Sequence, residues 1–266
     1  PTSLPVLEAM EKNAREYEAN PSPAIRTRLM QGREDARTKL AAALRVTPAE
    51  IVITRNTSES NNLVSSGLDL GKDDEVLAFS DNHPSNLLAW RQKALRFGFG
   101  VVAVPQVSPH PGTQYYLDAF AKAITRRTRL MALTHVSSNS GDVLPVAELC
   151  KLARERGVLS LVDGAQSFGV LDVNLDEMRP DFYSGSAHKW PCGPKEMGVL
   201  YVNLAEQHRL WPTVISLYAG AVGISQKLEG NGQRDDASLA AFAKALDLQE
   251  SIGRPVIEPR SRQLSD

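Results

Sequence analysis

The sequence predicts an α/β fold: a mainly parallel, seven-stranded sheet with helices on both faces. Three observations predict it. Short β-branched apolar runs recur along the chain, segments with apolar residues three and four apart lie between them, and the runs carry no polar alternate face, as expected of strands covered on both sides. The 266 residues are 42% hydrophobic and 23% charged, which excludes a disordered tail, a coiled coil or a collagen-like fibre. A chain of this size buries on the order of three quarters of its unfolded surface, enough for one large α/β domain or two small ones.

Taken in order, Leu4 to Glu18 and Ile25 to Leu44 read as two long helices separated by the breaker stretch Asn20 to Pro23. Seven strands follow: Ile51 to Thr54, Glu75 to Phe79, Val101 to Val104, Leu130 to His135, Val158 to Asp163, Asp181 to Ser184 and Met197 to Val202. Leu87, Trp90 and Leu95 form one helical stripe ending at Gly98. Val146, Leu149, Leu152 and Ala153 form another, ending at Gly157. Helix returns near the end, with Leu239, Phe242, Ala245, Leu246 and Gln249 in phase up to Gly253. The polar stretch Ile257 to Asp266 reads as a cut through a continuing chain.

Charge and cysteine content narrow the partners. Lys plus Arg number 30 against 31 Asp plus Glu, so no basic footprint for nucleic acid or an anionic membrane is present. No apolar run approaches the roughly 20 residues that span a bilayer. Cys150 and Cys192 lie far apart without further Cys or His at ligand spacing, so neither a disulfide scaffold nor a metal site is expected. The expected partner is a small molecule or a second copy of the chain.

Ligands of open parallel sheets bind beyond the carboxyl ends of the strands, and those segments are polar here. After the first strand, Thr54 to Asn62 places small hydroxyl residues at a helix start, where free N–H groups and the positive helix end suit a phosphate; a cap by Thr57 or Ser58 is the alternative. After the fifth, Asp163 closes an apolar strand, where an ionised carboxylate needs a cationic partner, unless it caps a helix. After the sixth, His188-Lys189 precedes a Gly/Pro-rich loop, as an amine used for covalent attachment or as a surface lysine. One ligand would use all three: pyridoxal 5′-phosphate (PLP), with a phosphate, a ring nitrogen and an aldehyde.

At these residues the chain resembles the class V aminotransferase family of fold-type I PLP enzymes, which includes cysteine desulfurases and isopenicillin N epimerase-like proteins. The resemblance runs along nearly the whole chain and is most specific at Asp181 to Pro194, Gly198 to Tyr201 and Val162 to Gln166. It implies that Lys189 is the Schiff-base lysine, Asp163 the partner of the pyridine nitrogen and Gln166 a donor to the phenolic oxygen. Thr57, Ser58, Ser186 and His188 would surround the phosphate, and His83 would stack on the ring. Ser138 or Asn139 would approach the cofactor. Gln233 stands in the segment that reaches a neighbouring subunit's phosphate, with Thr commoner there. A plain surface loop pairing Arg234 with Asp235 is the alternative.

The same resemblance implies a helical segment over 1–24, a PLP-binding large domain over 25–253 and the start of a small domain over 254–266. It also implies a homodimer with shared active sites and an amino-acid-like substrate processed through a Cα carbanion, by epimerisation, C–S lysis or transamination. The isopenicillin N epimerase-like branch is favoured, because Gly232 to Asp236 and Ala245 to Arg254 look like that branch and Cys192 is out of place for a desulfurase thiol. Cysteine desulfurase and a non-catalytic scaffold relative are the alternatives. The expected compartment is the cytoplasm, or the periplasm after removal of an export signal.

Overall fold

The computed structural model describes residues 1–265. Two helices, α1 (Leu4–Ala19) and α2 (Pro23–Leu44), precede a seven-stranded sheet built from β1 (Ile51–Thr54), β2 (Glu75–Phe79), β3 (Gly100–Val104), β4 (Thr128–Thr134), β5 (Leu159–Asp163), β6 (Phe182–Ser186) and β7 (Gly198–Val202). The strand order is β1-β7-β6-β5-β4-β2-β3; β7 runs antiparallel to both its neighbours, and the remaining pairs are parallel. Helices α3 (Thr57–Gly67), α4 (Pro84–Phe97), α5 (Thr113–Ala123), α6 (Val146–Glu155) and the short α7 (Leu175–Met178) alternate with the strands. After β7 come the short α8 (Ser225–Leu228), then α9 (Asp236–Ile252) and α10 (Arg254–Ser265).

Alternate residues of each strand point to opposite faces, which divides the core in two. Ile51, Ile53, Leu77, Phe79, Met131 and Leu133 share one cluster with Leu40 of α2, Phe120 of α5, Leu149 of α6 and Phe242 of α9. Val52, Val76, Ala78, Leu130, Ala132 and Leu161 share the other with Val64 of α3 and Trp90 of α4. Thus α3 covers the sheet from the side opposite α2 and α9. Val6 of α1 is fully buried in the first cluster.

Local chemistry sets the helix limits. Ser22 Oγ accepts from the Ile25 N–H, with Pro23 opening α2, and α4 ends at Gly98, whose φ of +83° is readily available only without a Cβ. The strands fall where the apolar runs predict them, with small shifts. β4 begins at Thr128 and stops at Thr134, leaving His135 just past its end, and β6 continues to Ser186.

The outer edge of β1 is closed by charged side chains. Arg37 Nη1 donates to the Ile51 carbonyl at 2.8 Å, the Ile53 N–H donates to Glu229 Oε1 at 2.6 Å, and Arg234 Nη1 donates to the Ile53 carbonyl at 2.6 Å. These groups take the place of a neighbouring strand on an edge otherwise open to pairing. Arg234 therefore does not pair with Asp235 as an exposed couple; Asp235 instead caps α9, accepting from the Ser238 N–H at 3.1 Å. Arg37 and Glu229 form an ion pair with both side chains 1% exposed. Glu229→Ala leaves Arg37 with Glu34 as its remaining carboxylate partner and the buried Ile53 N–H without its acceptor, so it is expected to destabilise the fold by about 1–3 kcal/mol. Urea unfolding checks it; a loss under about 1 kcal/mol would contradict the assigned role.

Candidate active site

A cleft of about 220 Å³ opens at the carboxyl ends of β1, β5 and β6, lined by residues that include Thr57, Ser58, His83, Asp163, Ser186, His188 and Lys189. Its floor comes from the turn between β1 and α3. Asn56, not Thr57 or Ser58, caps α3: its Oδ1 accepts from the Glu59 N–H at 3.0 Å. Thr57 and Ser58 thereby enter the first helical turn, at the positive end of the helix dipole. Ser186, the last residue of β6, accepts from the Thr57 N–H at 2.9 Å and lies 2.8 Å from Thr57 Oγ1, so the strand end and the helix start are stitched together. The close approach also depends on Gly198, where a Cβ would stand 2.7 Å from Asn56 Cα. Hydroxyl groups at a helix N-terminus suit an anion.

Asp163 closes β5 and is 4% exposed. Its Oδ1 accepts from the Ala165 N–H at 3.0 Å and its Oδ2 from Asn61 Nδ2 at 2.9 Å. Burial pushes this carboxyl up from its usual range, while the two donors and the positive charge of Lys189 oppose that shift. Lys189 lies in the turn after β6 and is half-buried. Burial pulls its ammonium below the usual lysine range, and the Asp163 charge works the other way. Burial and the adjacent Lys189 charge hold His188 below the usual histidine range. His83 precedes α4, and its Nδ1 accepts from the Ser85 N–H at 3.2 Å, which leaves the ring proton on Nε2 when the ring is neutral.

Four residues of the expected site lie elsewhere. Gln166 is half-buried beyond Asp163, its Oε1 accepting from Trp190 Nε1 at 3.0 Å. Ser138 and Asn139 lie on an exposed turn beyond β4, where the Asn139 amide donates to Asp81 Oδ1 at 2.5 Å. Gln233 is exposed and lines a separate cavity of about 70 Å³ with Arg26, Arg33 and Tyr218.

Sequence reasoning missed Asn61, Ser184 and Trp190. A signal for the first existed: Asn61 falls four residues after Thr57 and three before Val64, on the face of α3 turned toward the sheet, and a polar residue in that apolar phase needs an internal partner. Nothing comparable marked Ser184 inside β6. Among the described residues no cluster suited to a metal ion occurs, and no helix is long and apolar enough to cross a membrane.

Comparison with known proteins identifies the family. The chain is 32% identical over 249 residues to isopenicillin N epimerase of Streptomyces clavuligerus, covering 87% of this chain and 62% of that protein. It is 34% identical over 218 residues to a probable cysteine desulfurase of Methanothermobacter thermautotrophicus, covering 81% and 54%. The chain thus spans little more than half the length of these relatives. Among solved structures, a C-DES variant with glycine covalently linked to its PLP cofactor superposes with a TM-score of 0.86 at 27% identity, covering 94% of this chain and 69% of that one. The family model for class V aminotransferases matches residues 1–266, and with the sheet and these relatives in agreement, the chain belongs to the class V aminotransferase family.

Proposed function

We propose that this chain forms the cofactor-binding part of a PLP-dependent enzyme acting at Cα of an amino acid or a close derivative. The observation that carries the reading is the buried Asp163 carboxylate, facing Lys189 across a cleft whose floor is a hydroxyl-rich helix N-terminus. The residues fit the cofactor: Asp163 suits a protonated ring nitrogen, Lys189 an aldehyde, and Thr57, Ser58, Ser186 and His188 a phosphate. A scaffold has no use for a desolvated carboxylate opposite a lysine with a lowered pKa.

When bound, PLP supplies a ring that withdraws the electron pair left at Cα. Lys189 Nζ would hold the cofactor's aldehyde, and the same amine would remove and return the proton at Cα of the substrate. Its depressed pKa raises the fraction of neutral amine available for both tasks. Asp163 would keep a proton on the ring nitrogen, Thr57, Ser58 and Ser186 would bind the phosphate, and His83 would pack on the ring.

For the finer reaction we favour isopenicillin N epimerase-like chemistry, supported by the relative at 32% identity. Cysteine desulfurase is the second reading, supported by the relative at 34% identity. Incubating the PLP-loaded protein in deuterated water with single-enantiomer amino acids separates them: deuterium at Cα with inversion supports the first, and alanine with persulfide sulfur from cysteine the second.

The working unit we propose is a homodimer in which Gln233 reaches the partner's cleft, which fits its exposed position away from the cleft of its own chain. Mixing a Lys189→Ala protein with a Gln233→Ala protein under subunit exchange is expected to restore activity from two impaired parents. A fully active monomer by light scattering would refute the shared site.

A further inference from the structure

Asp163 is held by a chain of side-chain hydrogen bonds reaching across two elements, and that chain has a direction. Ser184 Oγ, inside β6, donates to Asn61 Oδ1 at 2.8 Å, and Asn61 Nδ2 donates to Asp163 Oδ2 at 2.9 Å. All three side chains are buried, with Asn61 and Ser184 at 0% exposure. A hydroxyl that donates to the amide oxygen leaves only the amide N–H₂ to face the carboxylate, and an ionised carboxylate can only accept. The order Ser184, Asn61, Asp163 is therefore the one in which every polar atom named is satisfied.

We propose that Asn61, oriented by Ser184, is a positioning residue that keeps Asp163 an aligned, ionised acceptor for the proton on the cofactor ring nitrogen. The proposal rests on the PLP reading given above. Three arguments support it. First, Asn61 supplies one of only two hydrogen bonds that the Asp163 carboxylate accepts among the described residues, the other coming from the Ala165 N–H. Second, the two donors engage different oxygens, so together they set the plane of the carboxylate, which the Ala165 N–H alone leaves free to turn. Third, Lys189 after β6 and His83 ahead of α4, which line the cleft, and Tyr183 of β6 act on Asp163 without a hydrogen bond to it, so Asn61 is the side chain that fixes Asp163 by direct contact. A carboxylate in a dry site that loses a donor takes up a proton more readily. Asp163 would then compete with the ring nitrogen for the proton it should stabilise there.

The test uses the chain reconstituted with PLP carrying ¹⁵N in the ring, the nitrogen shift being followed against pH. Asp163→Asn is the reference for complete loss. Asn61→Leu, close in volume and without donors, is expected to lower the pH at which the ring nitrogen gives up its proton by about one unit, a tenfold weaker hold. Ser184→Ala is expected to shift it less in the same direction. The double variant should go no further than Asn61→Leu, because both act through one chain. A purely structural role would lower the melting temperature and leave the ring titration in place. An unchanged titration in Asn61→Leu beside a shifted Asp163→Asn overturns the proposal while leaving the PLP reading intact. Should Asn61→Leu fail to fold, an unchanged titration in Ser184→Ala overturns it equally. A wild-type protein that takes up no PLP on Lys189 overturns both.

Discussion

Replacing Lys189 by alanine is expected to abolish covalent capture of pyridoxal phosphate: the protein should bind the cofactor only reversibly, and borohydride reduction should leave no pyridoxyl group on any peptide. Wild-type protein treated the same way should carry the label on Lys189. Loss of the base at Cα alone is expected to lower turnover roughly 10²–10⁴-fold. The pH dependence of capture has a definite sign. Only the neutral amine attacks an aldehyde, and burial lowers the Lys189 pKa from its usual value, against the opposing pull of Asp163. The capture rate should therefore rise with pH and reach half its maximum below the value of about 10.4 found for a free lysine side chain. Stopped-flow absorbance against a model amine measures this directly. A label on Lys195, which is exposed in the same loop, or a midpoint at or above that of the free amine, would contradict the assignment.

Asp163→Asn has the second large expected effect, because it keeps the shape of the side chain and removes the charge opposite the ring nitrogen. An opposite charge at close range shifts a pKa by about 1–3 units, so the protonated fraction of the ring should fall roughly 10- to 1000-fold where it is the minor form. Deuterium incorporation at Cα of a bound amino acid should slow correspondingly. Cofactor binding should persist, since Thr57, Ser58, Ser186 and Lys189 are untouched. The variant also presents an amide to Asn61 Nδ2, a donor facing a group that can itself donate, so some loss of order around Ala165 is expected. Deuterium incorporation at the wild-type rate would remove Asp163 from its role.

The candidate site residues legible in the sequence share one property: their position along a strand or helix already places them. Asp163 and Ser186 end strands, Lys189 follows one, and Thr57 and Ser58 begin a helix; in a mainly parallel sheet those ends converge on one side. The cap of α3 was not legible in the same way. Asn56, Thr57 and Ser58 are all competent caps by residue type, and the choice of Asn56 follows from the stitching of Thr57 to Ser186 on another strand. Gln166 illustrates the converse. Its place after β5 was evident, but its side chain is turned by Trp190, a residue 24 positions on, through a contact that no local pattern encodes.

The sequence by itself determined the alternation of strands and helices, the apolar faces, the absence of a basic or membrane-spanning surface among its patterns, and the identity of the amine and carboxylate that face each other. These follow from short-range rules of period, capping and burial, which each segment carries within itself. Only the tertiary structure decided that β7 runs against its neighbours, that Arg37, Glu229 and Arg234 close the edge of β1, and that Asn61 and Ser184 brace Asp163. Those contacts join residues far apart in the chain, and the hydrogen-bonding needs of buried polar groups can be met only once the layers have packed and brought their partners within reach.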